Sequence, residues 1–217
     1  MTNNKMDHAL KQIFNSYQRY TEKQQRVLMA AVRLFARKGY ANTSTLEIAA
    51  LAGVSEGSIF RRFRNKENLL MAVIDPILNE ILPHDLERFS NQDLTTTYRS
   101  LDEFVNRIVR DRIGSGEMWF PLMKTFLNEM LYTPQMRQRL MQAVPDDVIS
   151  IIDSQLLDLK KRHLLVDWSN REIIRFLMVA IWGYMLQHFV LWADASWDRQ
   201  LEERHLIEGL TRALTPP

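Results

Sequence analysis

The sequence predicts an all-α protein with a small N-terminal three-helix domain and a larger C-terminal helical domain. Apolar residues recur at spacings of three and four along most of the 217-residue chain, which is the period of an amphipathic helix. We find no run that alternates as a half-buried strand would. Only 7 residues are glycine and 7 are proline, too few for a loop-rich or disordered chain. A chain of this length can bury a substantial core.

The N-terminal domain is expected over residues 22–70, preceded by an extension at 1–21. The apolar pattern over 9–38 indicates either one long helix or two consecutive ones, and Gly39 follows in the position that glycine favours beyond a helix C-terminus. The extension either lengthens the first helix or supplies a basic arm. The basic residues of that arm would be Lys5, Lys11 and Arg19.

Two short helices should follow and form a helix-turn-helix at about 45–64. Ser44 and Glu47 have the spacing of a capping box, which predicts a helix start, and Gly53 ends that helix after about two turns. Ser55 is the expected cap of the next helix. A tight glycine turn between two short helices leaves the second free to present its outer face. The expected core residues of the motif are Leu46, Ile48, Val54, Ile59 and Phe63.

Charge is distributed unevenly between the two parts of the chain. Residues 1–70 hold 12 Lys and Arg against 5 Asp and Glu, so this part carries +7. The whole chain holds 28 basic and 26 acidic residues, which leaves 16 against 21, or −5, for the remainder. A basic N-terminal domain on an acidic body favours a polyanion as the partner of that domain.

The body, residues 71–217, shows helical patterns with proline or glycine breaks between them. Ser169 and Glu172 form a second capping box ahead of a strongly apolar segment, 173–193. That segment is long enough to cross a bilayer, but Arg175 lies within it, which favours a core or interface helix and no membrane. The patterns cover 95–113, 117–131, 134–162 with a split at Pro145, 169–194 and 197–214.

Several functional classes find no support in the sequence. The chain has no cysteine, which excludes disulfides, thiolate catalysis and cysteine-ligated metals. The five histidines do not cluster, and there is no nucleophile motif or glycine-rich phosphate cradle. We therefore expect no enzyme, no catalytic residues, no cofactor and no metal. Because the first residues lack the pattern of a secretory signal, we expect a cytoplasmic protein.

The second helix of the motif has the composition of a helix that enters the DNA major groove. Gly57 lacks a Cβ and would let the backbone approach a phosphate or a base edge, although glycine costs a helix about 1 kcal/mol. Arg62 can pair with a phosphate or with guanine. Lys66, near a helix N-terminus, has the setting of a phosphate site. Glu56 would repel phosphate, so it must either meet a cytosine amino group or point away.

The stretch GYANTSTLEIAALAGVSEGSIFRRFRNKENLL, residues 39–70, closely resembles the DNA-binding domain of the TetR family of bacterial repressors. With the preceding helix, the resemblance covers about 22–70. The matching elements are Gly39-Tyr40, Thr43-Ser44, Ile48-Ala49, Ala52-Gly53-Val54-Ser55, Gly57, Phe63, Lys66-Glu67 and Leu69.

The resemblance implies a DNA interface made by the helix-turn-helix. Family members usually carry tyrosine where this chain has Phe60, which cannot supply the phosphate-bonding hydroxyl; Arg61 or Arg62 would have to replace that contact. The implied DNA-binding residues are Ser44, Thr45, Ser55, Glu56, Gly57, Ser58, Phe60, Arg61, Arg62 and Lys66.

For the body, the resemblance implies a ligand-binding and dimerisation domain. The expected function is a homodimeric transcriptional repressor, released from a near-palindromic double-stranded operator by a small, largely apolar effector; the alternative is control by a partner protein. Methionine and aromatic residues at helical spacing more often form ordinary core than a pocket. The candidate pocket residues are Met118, Trp119, Met123, Phe126, Met130, Met178 and Trp182. Candidate dimer-interface residues are Ile181, Tyr184, Met185, His188, Leu206 and Leu210.

Overall fold

The computed structural model describes residues 20–94, 97–132, 134–192, 196 and 198–217, without the side chains of 93 and 117–135. Within these ranges the chain is helical and contains no strand, as the sequence predicts. The α-helices are α1 (Glu22–Lys38), α2 (Thr45–Ala52), α3 (Glu56–Phe63), α4 (Lys66–Pro76), α5 (Leu82–Phe89), α6 (Leu101–Tyr132), α7 (Pro134–Gln142), α8 (Asp146–Lys161), α9 (Asn170–Leu186) and α10 (Arg199–Leu214). Short π-helical segments occupy Ile77–Ile81, Ser90–Leu94 and Gln187–Leu191.

The described residues fall into two compact units. The first contains the described residues up to Pro83 together with those of Met118–Ala143, and the second contains those of His84–Glu117 and Val144–Pro217. The first unit therefore extends beyond residue 70, where the sequence pattern ends the N-terminal domain. Its extra residues include the last residues of α4 and the π-helical segment that follows Pro76.

The first unit is built around the buried faces of α1 to α4. Phe35 of α1, Ile48 of α2 and Ile59 of α3 are each at most 1% exposed, and Leu69 of α4 is fully buried. Burying such side chains contributes roughly 1.5–3 kcal/mol each. These contacts fix α2 and α3 on the scaffold formed by α1 and α4.

Local sequence signals set the ends of these helices. The capping box of Ser44 and Glu47 is present, and Gly39 and Gly53 end α1 and α2 with positive φ angles of 81° and 65°. Ser55 occupies the N-cap position of α3, but its hydroxyl makes no capping bond and lies 2.8 Å from the Ser58 hydroxyl instead. The expected side-chain cap is therefore wrong.

One predicted core residue of the motif lies on the surface. Leu46 is 64% exposed, because it follows Thr45 on the solvent side of the first turn of α2, whereas Ile48 is fully buried. Ile59 and Phe63 are buried as predicted, at 1% and 5% exposure, and Val54 is partly buried against the same core.

The second unit contains a half-buried ion-pair cluster. Arg88 donates to Asp111 at 2.8 Å, Arg112 bonds Asp111 and lies 3.1 Å from Asp85, and Ser115 donates to Asp85 at 2.8 Å. Burial alone would raise the pKa of Asp111, but the charges and hydrogen bonds of Arg112 and Arg88 outweigh it and lower that pKa. The cluster joins α5 to α6.

One helix differs from the sequence pattern. The expected break between 113 and 117 is absent, since α6 runs unbroken through Gly114 and Gly116. A Cβ on Gly116 would lie 2.2 Å from the sulfur of Met185, so this glycine gives the methionine room. Among the described residues, one helical stretch, Asn170–Leu191, is long and apolar enough to cross a bilayer, with a mean hydropathy of 1.5 and 22% of its most apolar window buried.

Candidate nucleic-acid interface

The first unit presents the N-terminal ends of α2 and α3 beside each other. Thr45, the first residue of α2, donates from its hydroxyl to the carboxylate of Glu56, the first residue of α3, at 2.5 Å. Both helices thus begin at the same surface, where their unpaired backbone N–H groups and positive dipole ends favour an anion.

Helix α3 is amphipathic, and its polar side carries the residues that the sequence singles out. Ile59 and Phe63 face the core, while Gly57, Phe60 and Arg61 are exposed. An ideal Cβ on Gly57 would meet no protein atom within 4 Å. Packing within the protein therefore does not require a glycine at this position. The missing side chain leaves open space on the exposed side of α3, the side that would face a DNA groove.

The two arginines of α3, Arg61 and Arg62, are both exposed and line a groove with Lys23 of α1. The guanidinium of Arg62 lies 5.5 Å from the ring centre of Tyr20 and 5.8 Å from that of Phe63. Stacking on rings restricts the position of a guanidinium without using its hydrogen-bond donors. Arg62 can therefore donate to a phosphate or a base edge from this position.

Lys66, for which the sequence predicts a phosphate contact, makes contacts within the protein in this structure. Its ammonium donates to the backbone carbonyls of Tyr40 at 2.9 Å and Thr43 at 3.0 Å, with Ala41 at 3.5 Å, and it lies 4.3 Å from the centre of the Tyr40 ring. An ammonium has three donors, and these carbonyls occupy them. In this structure Lys66 holds the loop between α1 and α2 in place.

Ser44 is likewise engaged within the protein. Its hydroxyl accepts from the backbone N–H of Glu47 and donates to the Glu47 carboxylate, which also pairs with Lys38. The hydrogen bond from Lys38, together with those from Ser44, lowers the pKa of Glu47 to about 2. Ser44, Thr45, Phe60 and Lys66 line a common groove, with Phe60 exposing 42% of its surface there.

Two basic residues of this unit were missed by the sequence analysis. The ammonium of Lys23 donates to the Ser58 hydroxyl at 3.1 Å, which places a charge from α1 beside the first turn of α3. Arg64, which ends α3, is exposed and has a positive φ of 70°, a conformation that costs a non-glycine residue about 1–3 kcal/mol. The contact of Lys23 with Ser58 has no local sequence signal, since the two residues are 35 positions apart.

The predicted residues of the body are only partly within the described structure. Met118, Trp119, Met123, Phe126 and Met130 lie outside the described side chains. Met178 is 40% exposed and Trp182 is half-buried. No group of three or more His, Asp or Glu residues that could hold a metal occurs among the residues that the structure describes.

The predicted interface residues divide into two groups. Ile181, Met185 and Leu210 are at most 4% exposed, so they pack inside their own chain. The other three, Tyr184, His188 and Leu206, are half-buried, and Tyr184 and His188 stack with their rings 5.9 Å apart. The exposed apolar residues of α9 are Met178, Val179 and Leu186, at 40%, 72% and 45%.

Two short helices packed on a small core, with Lys23, Arg61 and Arg62 along the exposed side of the second helix, define a helix-turn-helix DNA-binding protein. Residues 27–73 match the family model described as bacterial regulatory proteins, tetR family. Over residues 27–73 the chain therefore carries a DNA-binding domain similar to that of the TetR family. The related proteins are transcriptional regulators rather than enzymes.

The curated relatives match the chain in this domain. The regulator YvkB of Bacillus subtilis is 51% identical over 49 residues, which is 23% of this chain and 26% of YvkB. The regulator TtgR of Pseudomonas putida is 39% identical over 56 residues, 26% of this chain and 27% of TtgR. The matched segment thus spans about a quarter of the length of these relatives.

Solved structures match over most of the chain but at low identity, so they support the fold alone. A TetR-family regulator from Mesorhizobium loti has a TM-score of 0.62 at 19% identity, over 90% of this chain and 100% of the other. A regulator from Saccharomonospora viridis in complex with choline has 0.62 at 21%, over 89% and 95%. FadR from Bacillus subtilis in complex with stearoyl-CoA has 0.61 at 20%, over 86% and 96%.

Proposed function

We propose that the whole protein is a homodimeric transcriptional repressor that binds a near-palindromic operator and is released by a small, largely apolar effector. The observation that carries the proposal is the first turn of α3, where Gly57 faces open space beside the exposed Arg61. Lys23 and Arg62 extend the positive charge around it. Such a surface fits the major groove of a duplex. Its site of action would be the cytoplasm, where bacterial DNA lies.

Dimerisation is supported by the exposed face of α9. Val179 and Leu186 lie seven residues apart and therefore on one face of the helix, and they expose 72% and 45% of their surface. A contiguous apolar face of this kind is typical of a protein–protein interface. A two-fold pair would present two α3 helices to DNA one helical turn apart, about 34–36 Å. We therefore propose the face with Val179 and Leu186 as the dimer contact, in place of Ile181 and Met185, which are buried within their own chain.

The effector is supported by analogy with the structural neighbours, two of which contain choline and stearoyl-CoA. In this chain, the apolar residues of α9, among them the half-buried Trp182, could line a comparable ligand-binding site. If DNA binding proves insensitive to a panel of acyl and aromatic compounds, control by a partner protein becomes the better account.

An electrophoretic mobility shift with duplex DNA flanking its own gene tests the proposal. We expect a sequence-specific complex whose affinity falls steeply with salt, because phosphate contacts release counterions. Arg62→Ala should weaken the complex, whereas Arg171→Ala, which removes the same charge from an exposed position in α9, should not. Absence of any sequence-specific binding would contradict the proposal.

A further inference from the structure

The first turn of α3 contains a carboxylate at the surface proposed to meet DNA. Glu56 is half-buried and is the first residue of the helix. A carboxylate near phosphates is unfavourable unless it faces a hydrogen-bond donor. The N-terminal residues of a helix in the major groove are those that reach base edges. With α3 in the major groove, the position of Glu56 in the first turn would face base edges.

Thr45 holds this carboxylate in one position. Its hydroxyl donates to one oxygen of Glu56 at 2.5 Å, so the carboxylate is fixed by a residue of the neighbouring helix. A carboxylate has two oxygens and about four acceptor sites, which leaves acceptor capacity for a second donor. On the other side of the turn, Lys23 donates to Ser58, which restrains the same turn from α1.

We infer that Glu56, positioned by Thr45, reads a base by accepting a hydrogen bond from an exocyclic amino group in the major groove. Cytosine and adenine both present such a donor there. Adenine places its N7 acceptor beside the amino group, and this acceptor repels a carboxylate. Cytosine presents a C5–H group at the corresponding position beside its amino group, so it is the base that Glu56 selects. This inference rests on the proposed DNA-binding function.

Selection from a pool of randomised DNA duplexes, followed by affinity measurements on the selected sites, tests the inference. The full chain should select a cytosine at one symmetric position of each half-site. Glu56→Ala should remove that preference, lowering discrimination roughly 5- to 150-fold per half-site, and leave the other positions unchanged. Glu56→Gln should shift the preference to adenine, because an amide both donates and accepts.

A second readout separates base reading from a structural role. Glu56→Ala removes a negative charge near the phosphates, so affinity for non-specific duplex should rise while specificity falls. Glu67→Ala is the matched control, since it removes an exposed carboxylate from α4 and should leave base preference unchanged. Thr45→Val should reduce discrimination at the same cytosine position, which tests the positioning role directly.

The outcomes separate this inference from the proposed function. If the native chain selects no sequence at all, the proposed function fails. If it selects a site and Glu56→Ala retains every base preference, base reading by Glu56 is overturned. If Thr45→Val weakens all sequences equally, with no loss at the cytosine position, the positioning by Thr45 is overturned.

Discussion

Replacing Gly57 with alanine should make the protein more stable and a weaker DNA binder. Gly57 lies in the first turn of α3, where an added Cβ would meet no atom within 4 Å, and its φ lies outside the left-handed region. The methyl group therefore adds neither a clash nor backbone strain. The helix gains about 0.5–1 kcal/mol from the propensity difference between the two residues. For a chain of this size that corresponds to a rise of about 1–4 °C in Tm.

The same methyl group should interfere with the DNA complex. If the backbone at Gly57 lies against a base edge or a sugar, a Cβ there forces the helix outward and weakens several contacts at once. We expect specific affinity to fall at least tenfold, measured by fluorescence anisotropy with a labelled operator, while thermal unfolding shows the gain in stability.

Gly114→Ala is the control for this prediction. Gly114 is exposed within α6 and an added Cβ there also meets nothing within 4 Å, so it should raise the Tm without changing DNA affinity. If Gly57→Ala binds the operator as tightly as the native chain, DNA does not occupy the open space beside Gly57.

Three further predictions concern contacts within each unit. Lys66→Met keeps the aliphatic chain but removes the ammonium from three carbonyls, so urea unfolding should show a loss of about 1–3 kcal/mol; unchanged stability would contradict the loop-holding role. Gly116→Ala forces the end of the buried Met185 side chain to move, so Met185→Ala should lower the Tm less in the Gly116→Ala background than in the native chain; equal losses in the two backgrounds would refute this contact. The Glu47 pKa falls from 4.5 to about 2 on folding, so its stabilisation is full above about pH 5 and is lost as the pH falls toward 2. Glu47→Gln should flatten this acid dependence in a pH series of unfolding curves, and an unchanged profile would contradict the pairing with Lys38.

The helices of the N-terminal domain were predictable because their signals are local. The capping box of Ser44 and Glu47 and the glycines at 39 and 53 act within one turn of the chain, and the structure confirms them. The apolar spacing of Ile59 and Phe63 likewise identifies the buried side of α3. These are short-range effects that a single sequence contains.

The parts of the site that were missed depend on distant contacts. Lys66 looks like a phosphate ligand in the sequence, but it meets carbonyls 23 to 26 residues away. Thr45 and Glu56 are 11 residues apart, and only the packing of two helices brings their side chains together. The contact between Gly116 and Met185 is likewise between residues distant in sequence and has no local signal.

The central claim is that the first turn of α3 enters the major groove, twice in each dimer. Methylation protection of guanine N7, an atom that faces only the major groove, tests it most directly on a duplex selected by the full chain. The account predicts two protected patches on one side of the duplex, about 10 base pairs apart, and loss of both patches in Gly57→Ala at the same protein concentration. Specific binding without protection of any major-groove guanine inside the selected site would contradict it.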